Sequence, residues 1–304
     1  MAAPALLACD WGNTRLRAWS LDAAGKVLDR RSFDLGVLSL APGEAGKVFE
    51  TVVRPALGAE TSPAILCGGV GSNIGWRTVP YVDCPADIEA VAAGLMAVRN
   101  GGAPTWIVPG VRGPGLAGDV DVMRGEETQV FGWLTQDRAS RAGRQVICHP
   151  GTHGKWILVE DGRIARFISF MTGELFSVLT RHSVLKSQAT VDDDEAFAAG
   201  LDAAGDGGAL AARLFSTRSR VVGSGASPAT MPSYLSGVLI GSEVAAAPDA
   251  LGVDSSEPVA LLGEPELCAL YWRALERRGV AVSIHDGEPA AVAGLRAIHR
   301  LATG

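Results

Sequence analysis

Two glycine turns, far apart in this chain, carry residue types suited to holding phosphate. The first is Asp10-Trp11-Gly12-Asn13-Thr14, directly after the apolar run Leu6-Leu7-Ala8-Cys9. Gly12 permits tight-turn angles, and its missing side chain lets an anion approach backbone N–H groups. Asn13 and Thr14 add neutral donors. Asp10, at the strand end, is placed to hold Mg²⁺ through water, because that ion takes one or two carboxylates and keeps several waters. The second turn is Pro150-Gly151-Thr152-His153-Gly154-Lys155. Facing each other across a cleft, two such turns would clamp a polyphosphate tail. Lys155 reads equally well as facing phosphate or solvent. A plain hairpin with a capping Asp has the same local pattern as either turn alone.

Two more segments carry chemistry. Met123-Arg124-Gly125-Glu126-Glu127-Thr128-Gln129 puts adjacent carboxylates at the start of an expected helix. Phosphoryl transfer to an alcohol benefits from a carboxylate that orients the hydroxyl and accepts its proton. An ordinary acidic first turn is the structural alternative. Cys67-Gly68-Gly69-Val70-Gly71-Ser72-Asn73-Ile74-Gly75-Trp76-Arg77 is a glycine-rich loop. It lacks the Gly-Lys-Ser/Thr of a Walker loop, and Ile74 stands where a dinucleotide fingerprint needs its third Gly. Ser72 and Asn73 suit sugar hydroxyls, Trp76 a sugar face and Arg77 a carboxylate; the alternative is a structural loop with Arg77 on the surface. His149 and His153 are four apart, but Pro150 and Gly151 preclude a helical two-His metal face.

These residues need elements to position them, and the sequence repeats itself to supply them. Leu6 to Trp19, the turn Asp22-Ala23-Ala24-Gly25 and Lys26-Val27-Leu28 match Val146 to Val159, Glu160-Asp161-Gly162-Arg163 and Ile164. Each copy reads as strand, glycine turn, strand, hairpin and third strand. Cys9 pairs with Cys148 and Gly12 with Gly151, so the repeat predicts two lobes. Helices are predicted over 87–99, from Glu126, over 194–201 behind Asp192-Asp193-Asp194, over 233–247, from Glu264 to Arg277 and over 290–301. Strands are predicted at Trp106-Ile107-Val108, Val259-Ala260-Leu261-Leu262 and Val280 to Ile284. Pro109–Gly118 and Gly223–Pro228 read as loops. Alternating strands and helices give an α/β class.

Bulk composition narrows the function classes. In 304 residues, 27 Lys and Arg face 33 Asp and Glu, a net charge of −6 without basic runs; nothing points to nucleic acid. The five cysteines are scattered, odd in number and without a CxxC pair, which suits reduced thiols in a cytoplasm. Leu6-Leu7-Ala8-Cys9 superficially matches a lipoprotein cleavage box, but no basic residue precedes it and the apolar stretch is short, so it reads as a buried strand. No apolar run is long enough for a membrane span.

In order along nearly the whole chain, Asp10 to Thr14, Gly69 to Trp76, Met123 to Gln129, Pro150 to His153, Met171-Thr172-Gly173-Glu174-Leu175 and Ser236-Gly237-Val238-Leu239-Ile240-Gly241 together resemble the 2-dehydro-3-deoxygalactonokinase family. Each motif alone is unspecific; the set is specific. The resemblance implies duplicated ribonuclease-H-like lobes of the actin/hexokinase/Hsp70 ATPase superfamily around a central cleft. It implies a lobe over 1–140 with the first phosphate turn and the substrate loop, and a lobe over 141–304 with the second turn and the adenine side. It implies ATP and Mg²⁺ as cofactors, and phosphorylation of 2-dehydro-3-deoxy-D-galactonate at its C6 hydroxyl in D-galactonate breakdown. Gly12, Asn13, Thr14, Gly151, Thr152 and His153 would position phosphates, Gly263 and its helix would border adenine, and Asp10 would hold Mg²⁺. Ser72, Asn73, Trp76, Arg77 and Arg124 would bind the sugar acid. The position favours Glu127 as base, with Glu126 as the alternative. Many sugar kinases of this superfamily carry an acidic residue in the second turn; here His149 matches Asp10, so metal binding rests mainly on Asp10. Partners would be ATP and a small sugar acid, with no nucleic acid and no membrane, in the cytoplasm; self-association stays open. Rival readings are a kinase of another sugar or keto-deoxy sugar acid, a non-catalytic ATP- or sugar-binding regulator, and a chaperone-type ATPase.

Overall fold

The computed structural model describes residues 4–98, 102–136, 142–206 and 208–304. From the N-terminal side the chain forms β1 (Leu6–Trp11), β2 (Leu16–Leu21) and β3 (Val27–Phe33). A helical stretch follows, made of α1 (Ala45–Val48), a π-helical turn and α2 (Arg54–Ala56). Then come β4 (Ala64–Cys67), β5 (Val82–Asp83), α3 (Ile88–Ala93), β6 (Met96–Val98) and β7 (Thr105–Ile107). β8 (Val111–Pro114), β9 (Val120–Met123) and α4 (Glu126–Gln136) complete this half. The second half opens with β10 (Arg144–His149), β11 (Gly154–Glu160) and β12 (Arg163–Phe170). Four helices follow: α5 (Thr172–His182), α6 (Asp194–Ala204), α7 (Leu210–Ser224) and α8 (Met231–Leu251). The chain ends with β13 (Val259–Gly263), α9 (Pro265–Glu276), β14 (Val282–Asp286) and α10 (Gly287–Thr303).

Among the described residues the strands form three sheets, in the orders β3-β2-β1-β4-β7-β6, β12-β11-β10-β13-β14 and β5-β8-β9. The sequence repeat is therefore a repeat of topology. In each large sheet a meander of three strands is followed by a crossover strand that pairs parallel to the meander's first strand. Asp10 stands opposite Cys67 in the first sheet and Cys148 opposite Leu261 in the second. β1 and β13 are apolar nearly throughout and almost wholly buried, as central strands covered on both faces must be.

The chain divides into two compact units, each discontinuous in sequence. The first holds Met1–Arg144, Val159–Arg166 and Asp286–Gly304; the second holds Gln145–Leu158 and Phe167–His285. The expected lobes of 1–140 and 141–304 thus differ from the observed units chiefly in α10, which returns to the first. The first unit is filled by Leu7, Cys9, Trp11, Phe49, Leu66 and Ile107. In the second, α8 is buried along most of its length and meets α6 so closely that a Cβ on Gly237 would lie 2.2 Å from the Phe197 carbonyl oxygen.

Local readings differ in three places, the first being the loop read from Gly223, which starts only after α7 ends at Ser224. The helix expected over 87–99 stops at Ala93 and gives way to β6. The Pro109–Gly118 loop contains β8, whose Gly and Pro residues mask its strand character. Among the described residues, no helix is long and apolar enough to cross a membrane.

Candidate active site

In the first unit, three chain segments converge where β1 and β4 end. The Gly12 amide donates to the Arg15 carbonyl (2.9 Å), closing the turn, and Val37 and Leu38 amides donate to the carbonyls of Gly12 and Asn13. This bracing leaves Asn13 and Thr14 exposed, as ligand-facing donors should be. Asp10 is mostly buried; one oxygen, Oδ2, pairs with Arg17 Nη2 at 2.7 Å. Beyond β4, Gly68 has φ +88°, and a Cβ there would lie 2.7 Å from the Trp11 carbonyl oxygen. Only glycine satisfies both constraints. Gly125, at φ +115°, sits against the Gly68 Cα and brings the start of α4 to the same place.

That helix start holds the two carboxylates differently. Glu127 is fully buried; Oε2 accepts from the Gly125 amide at 2.6 Å and Oε1 from the Thr128 hydroxyl at 2.8 Å. Burial, then the charge of Glu126, pushes its carboxyl from the ordinary 4.5 up to about 8. Glu126 is partly exposed and accepts from the Arg124 amide. The Cys67 thiol, driven well up by burial, feels both Asp10 and Glu127 and bonds Thr128, so these groups are near neighbours.

The expected substrate residues divide. Ser72 Oγ donates to the Gly69 carbonyl at 2.7 Å, so its proton is committed inside the loop. Asn73 and Arg77 are exposed. Trp76 packs on the core with its ring 5.6 Å from that of Phe49, so part of its surface is structural. Arg124 lies over the Tyr81 ring (4.3 Å), and its Nη2 donates to the Val79 carbonyl. Its Nε and Nη1 are buried and have no partner among the described residues, which is uncommon for a guanidinium and suits an anion or ordered water.

In the second unit, the glycine turn is locked to the start of α5. The Glu174 amide donates to the Thr152 carbonyl (2.9 Å), and a Cβ on Gly173 would lie 2.4 Å from the Gly151 carbonyl oxygen. His153 Nε2 bonds Glu174 Oε2 at 2.5 Å, so its imidazole is paired within the protein while Thr152 stays exposed. Lys155 does not face solvent. It is 4% exposed, and its Nζ donates to the His153 carbonyl. Gly263, at the end of β13, adjoins Pro150, whose carbonyl oxygen would be 3.6 Å from a Cβ at 263.

Glu243 on α8 was not singled out from the sequence. It is buried and accepts from Trp156 Nε1 (2.8 Å), from Tyr271 OH (2.7 Å) and from Thr172. Burial raises its carboxyl pKa, and these bonds oppose the rise. It ties β11, α5 and α9 together behind the second turn. The signal was an acid set within the apolar and small-residue run from Leu235 to Ala247, a pattern that places a charge in the interior.

The residues fit Mg²⁺ in one way only. Among the described residues no three His, Cys, Asp or Glu side chains cluster to cage a metal. Asp10 keeps Oδ1 outside its Arg17 contact, which suits an ion that retains its waters and binds phosphates as well.

Duplicated strand–turn–strand units, each feeding a parallel crossover strand, define the fold of actin-like ATPases and sugar kinases. The activator of 2-hydroxyisocaproyl-CoA dehydratase from Clostridium difficile, solved with bound ADPNP, shares that fold at TM-score 0.50 and 10% identity, covering 98% of this chain and 95% of its own. Within this class the chain belongs to the 2-keto-3-deoxy-galactonokinase family, whose sequence profile matches residues 10–298. It is 37% identical over 310 residues to a Rhizobium meliloti (strain 1021) protein named as a probable 2-dehydro-3-deoxygalactonokinase, and 34% identical over 300 residues to the Escherichia coli (strain K12) 2-dehydro-3-deoxygalactonokinase; each match covers 96% of both chains. A crystal structure of a Sinorhizobium meliloti protein of this family matches at TM-score 0.85 and 32% identity, over 97% of this chain and 96% of the other.

Proposed function

We propose that this protein transfers the γ-phosphoryl group of ATP to the C6 hydroxyl of 2-dehydro-3-deoxy-D-galactonate. The observation that carries the reading is Glu127. It is a fully buried carboxylate with a raised pKa, at a helix start beside a phosphate-type turn and Asp10. A group held in this way can take a hydroxyl proton that a carboxylate of ordinary pKa would leave in place. Family membership supplies the substrate class.

ATP would supply the phosphoryl group, and Mg²⁺ the positive charge that steadies its oxygens. Asp10 would hold the ion, and Gly12, Asn13 and Thr14 would offer amide and side-chain donors to phosphate. Within the second unit, Gly151 and Thr152 carry donors of the same kind, and His153 sets that turn's shape through Glu174. Glu127 orients the C6 hydroxyl and accepts its proton as the new O–P bond forms and the bond to the ADP oxygen breaks. Arg124 presents a fixed positive charge to the sugar-acid carboxylate, and Asn73, Arg77 and the outer face of Trp76 complete the acceptor side. The use of ATP makes the cytoplasm the working compartment.

The test is coupled detection of ADP with MgATP and the acid, with the product phosphate located by phosphorus NMR. Rapid ADP release with phosphate on C6 is expected. Faster turnover of the gluconate-derived epimer would move the substrate assignment, and ATP binding without turnover of any sugar acid would overturn the reaction.

A further inference from the structure

The second unit contains a cavity of about 140 Å³ beside its glycine turn. Its walls are Phe176, Val191, Leu239, Ile240, Leu267 and Leu270, with the backbone of Gly151 and Gly173 at the end nearest the turn. A purine nucleotide, an apolar-faced ring with a polyphosphate tail, suits a cavity of this size and lining beside a glycine turn. Among the described side chains that line the cavity, none is committed to one purine edge over another.

Three lining side chains carry polar atoms. Tyr271 OH donates to Glu243 at 2.7 Å, and Thr172 also bonds Glu243. Ser236 remains; among the described residues its hydroxyl has no hydrogen-bond partner. The backbone polar groups of Leu239 and Ile240 lie inside the long helix α8 and are used by its own ladder. A serine hydroxyl both donates and accepts, so it can accept from a 6-amino group or donate to a 6-oxo group. A site built to bond a substrate's polar edge rejects an analogue by four to five orders of magnitude, whereas an apolar pocket senses only size.

We propose that this cavity selects the phosphoryl donor by purine shape alone, so that GTP and ITP serve nearly as well as ATP. The inference rests on the reading of the protein as a nucleotide-dependent kinase, and deepens it at the donor site.

The experiment compares kcat/KM for ATP, GTP, ITP and CTP with 2-dehydro-3-deoxy-D-galactonate, and in parallel titrates each nucleotide by calorimetry without acceptor. GTP and ITP are expected within about tenfold of ATP, and CTP about 10–200-fold lower because a smaller ring leaves part of the pocket unfilled. A preference for ATP over GTP above about 100-fold, in rate or in binding, overturns the proposal. Binding that follows the expected order without turnover of the acid would leave the donor-site inference standing and remove the kinase reading. Location is tested by Leu270→Trp, and by Leu267→Trp should the first variant fail to fold; both positions are half-buried. Filling the cavity should raise the Kd for ATP and GTP together by tenfold or more. Unchanged nucleotide affinity in a folded variant overturns the location. Ser236→Ala should leave the ATP-to-GTP ratio within about threefold, and selective loss of either nucleotide would show that the hydroxyl does discriminate.

Discussion

Glu126 and Glu127 are chemically alike and adjacent, yet the fold gives them different properties. Glu127 has its charge desolvated and both oxygens engaged, while Glu126 stays partly in solvent. Glu127→Gln is therefore expected to lower kcat by about 10²–10⁴-fold, and Glu126→Gln by less than about tenfold; the reverse order would reassign the base to Glu126. Because the base must be unprotonated, kcat should rise with pH and level off above about 8. Stability should run the other way. The native carboxyl keeps its proton up to about 8, whereas an unfolded one releases it near 4.5, so its contribution is full below 4.5 and is lost as pH rises through 8. Melting curves should show wild type losing more stability than Glu127→Gln between those values. The paired acids were legible in the sequence, but their asymmetry was not, because it depends on Gly68 and Gly125 bringing two distant segments together. Arg124 and Lys155 show the same limit. Both are basic residues near turns, yet among the described residues one retains buried unpartnered donors, while the other is buried and bonds the backbone of its own turn.

At the scale of elements, the position of Glu127 depends on how closely α4 meets α10. A Cβ on Gly132 would lie 1.8 Å from the Ala290 carbonyl oxygen, and one on Gly294 1.9 Å from that of Thr128. The two backbones are nearly in contact at the residue after the proposed base. Gly294→Ala must separate the helices, and is expected to cost about 2 kcal/mol or more in urea unfolding and to reduce kcat by displacing the start of α4. A variant with an unchanged urea midpoint would mean that the crossing tolerates a methyl group. Elements with a strong local pattern were readable: both meanders, α8 with its small-residue face, and the strand–glycine–helix junction at Gly263. β8 was not, since its Gly113 and Pro114 are loop residues by type and become a strand only through pairing with β9. α3 was read too long because its apolar spacing runs on into β6, where pairing with β7 decides the conformation.

At the scale of the molecule, two units were foreseeable from the repeat, but their boundaries were not. Nothing in the local sequence of α10 says that it returns to the first unit, because that contact is made 150 residues or more away from its partners. There Trp19 Nε1 donates to Glu288 at 3.0 Å, Arg30 pairs with the same carboxylate at 2.6 Å, and Leu295 and Ile298 are fully buried. Each of those two side chains contributes about 1.5–3 kcal/mol on burial. Removing the helix also uncovers the face of α4 that it packs against. The total is a large share of the roughly 5–15 kcal/mol that holds a domain together. A chain ending at Asp286 should therefore lose the first unit's fold and all phosphoryl transfer. The second unit needs no residue beyond His285 and should persist as a protease-resistant fragment starting near Gln145. Limited proteolysis with mass spectrometry reads this directly. Retention of the full-length digestion pattern would show that α10 only covers the first unit, whereas digestion of both halves would show that the second unit depends on the first for its stability.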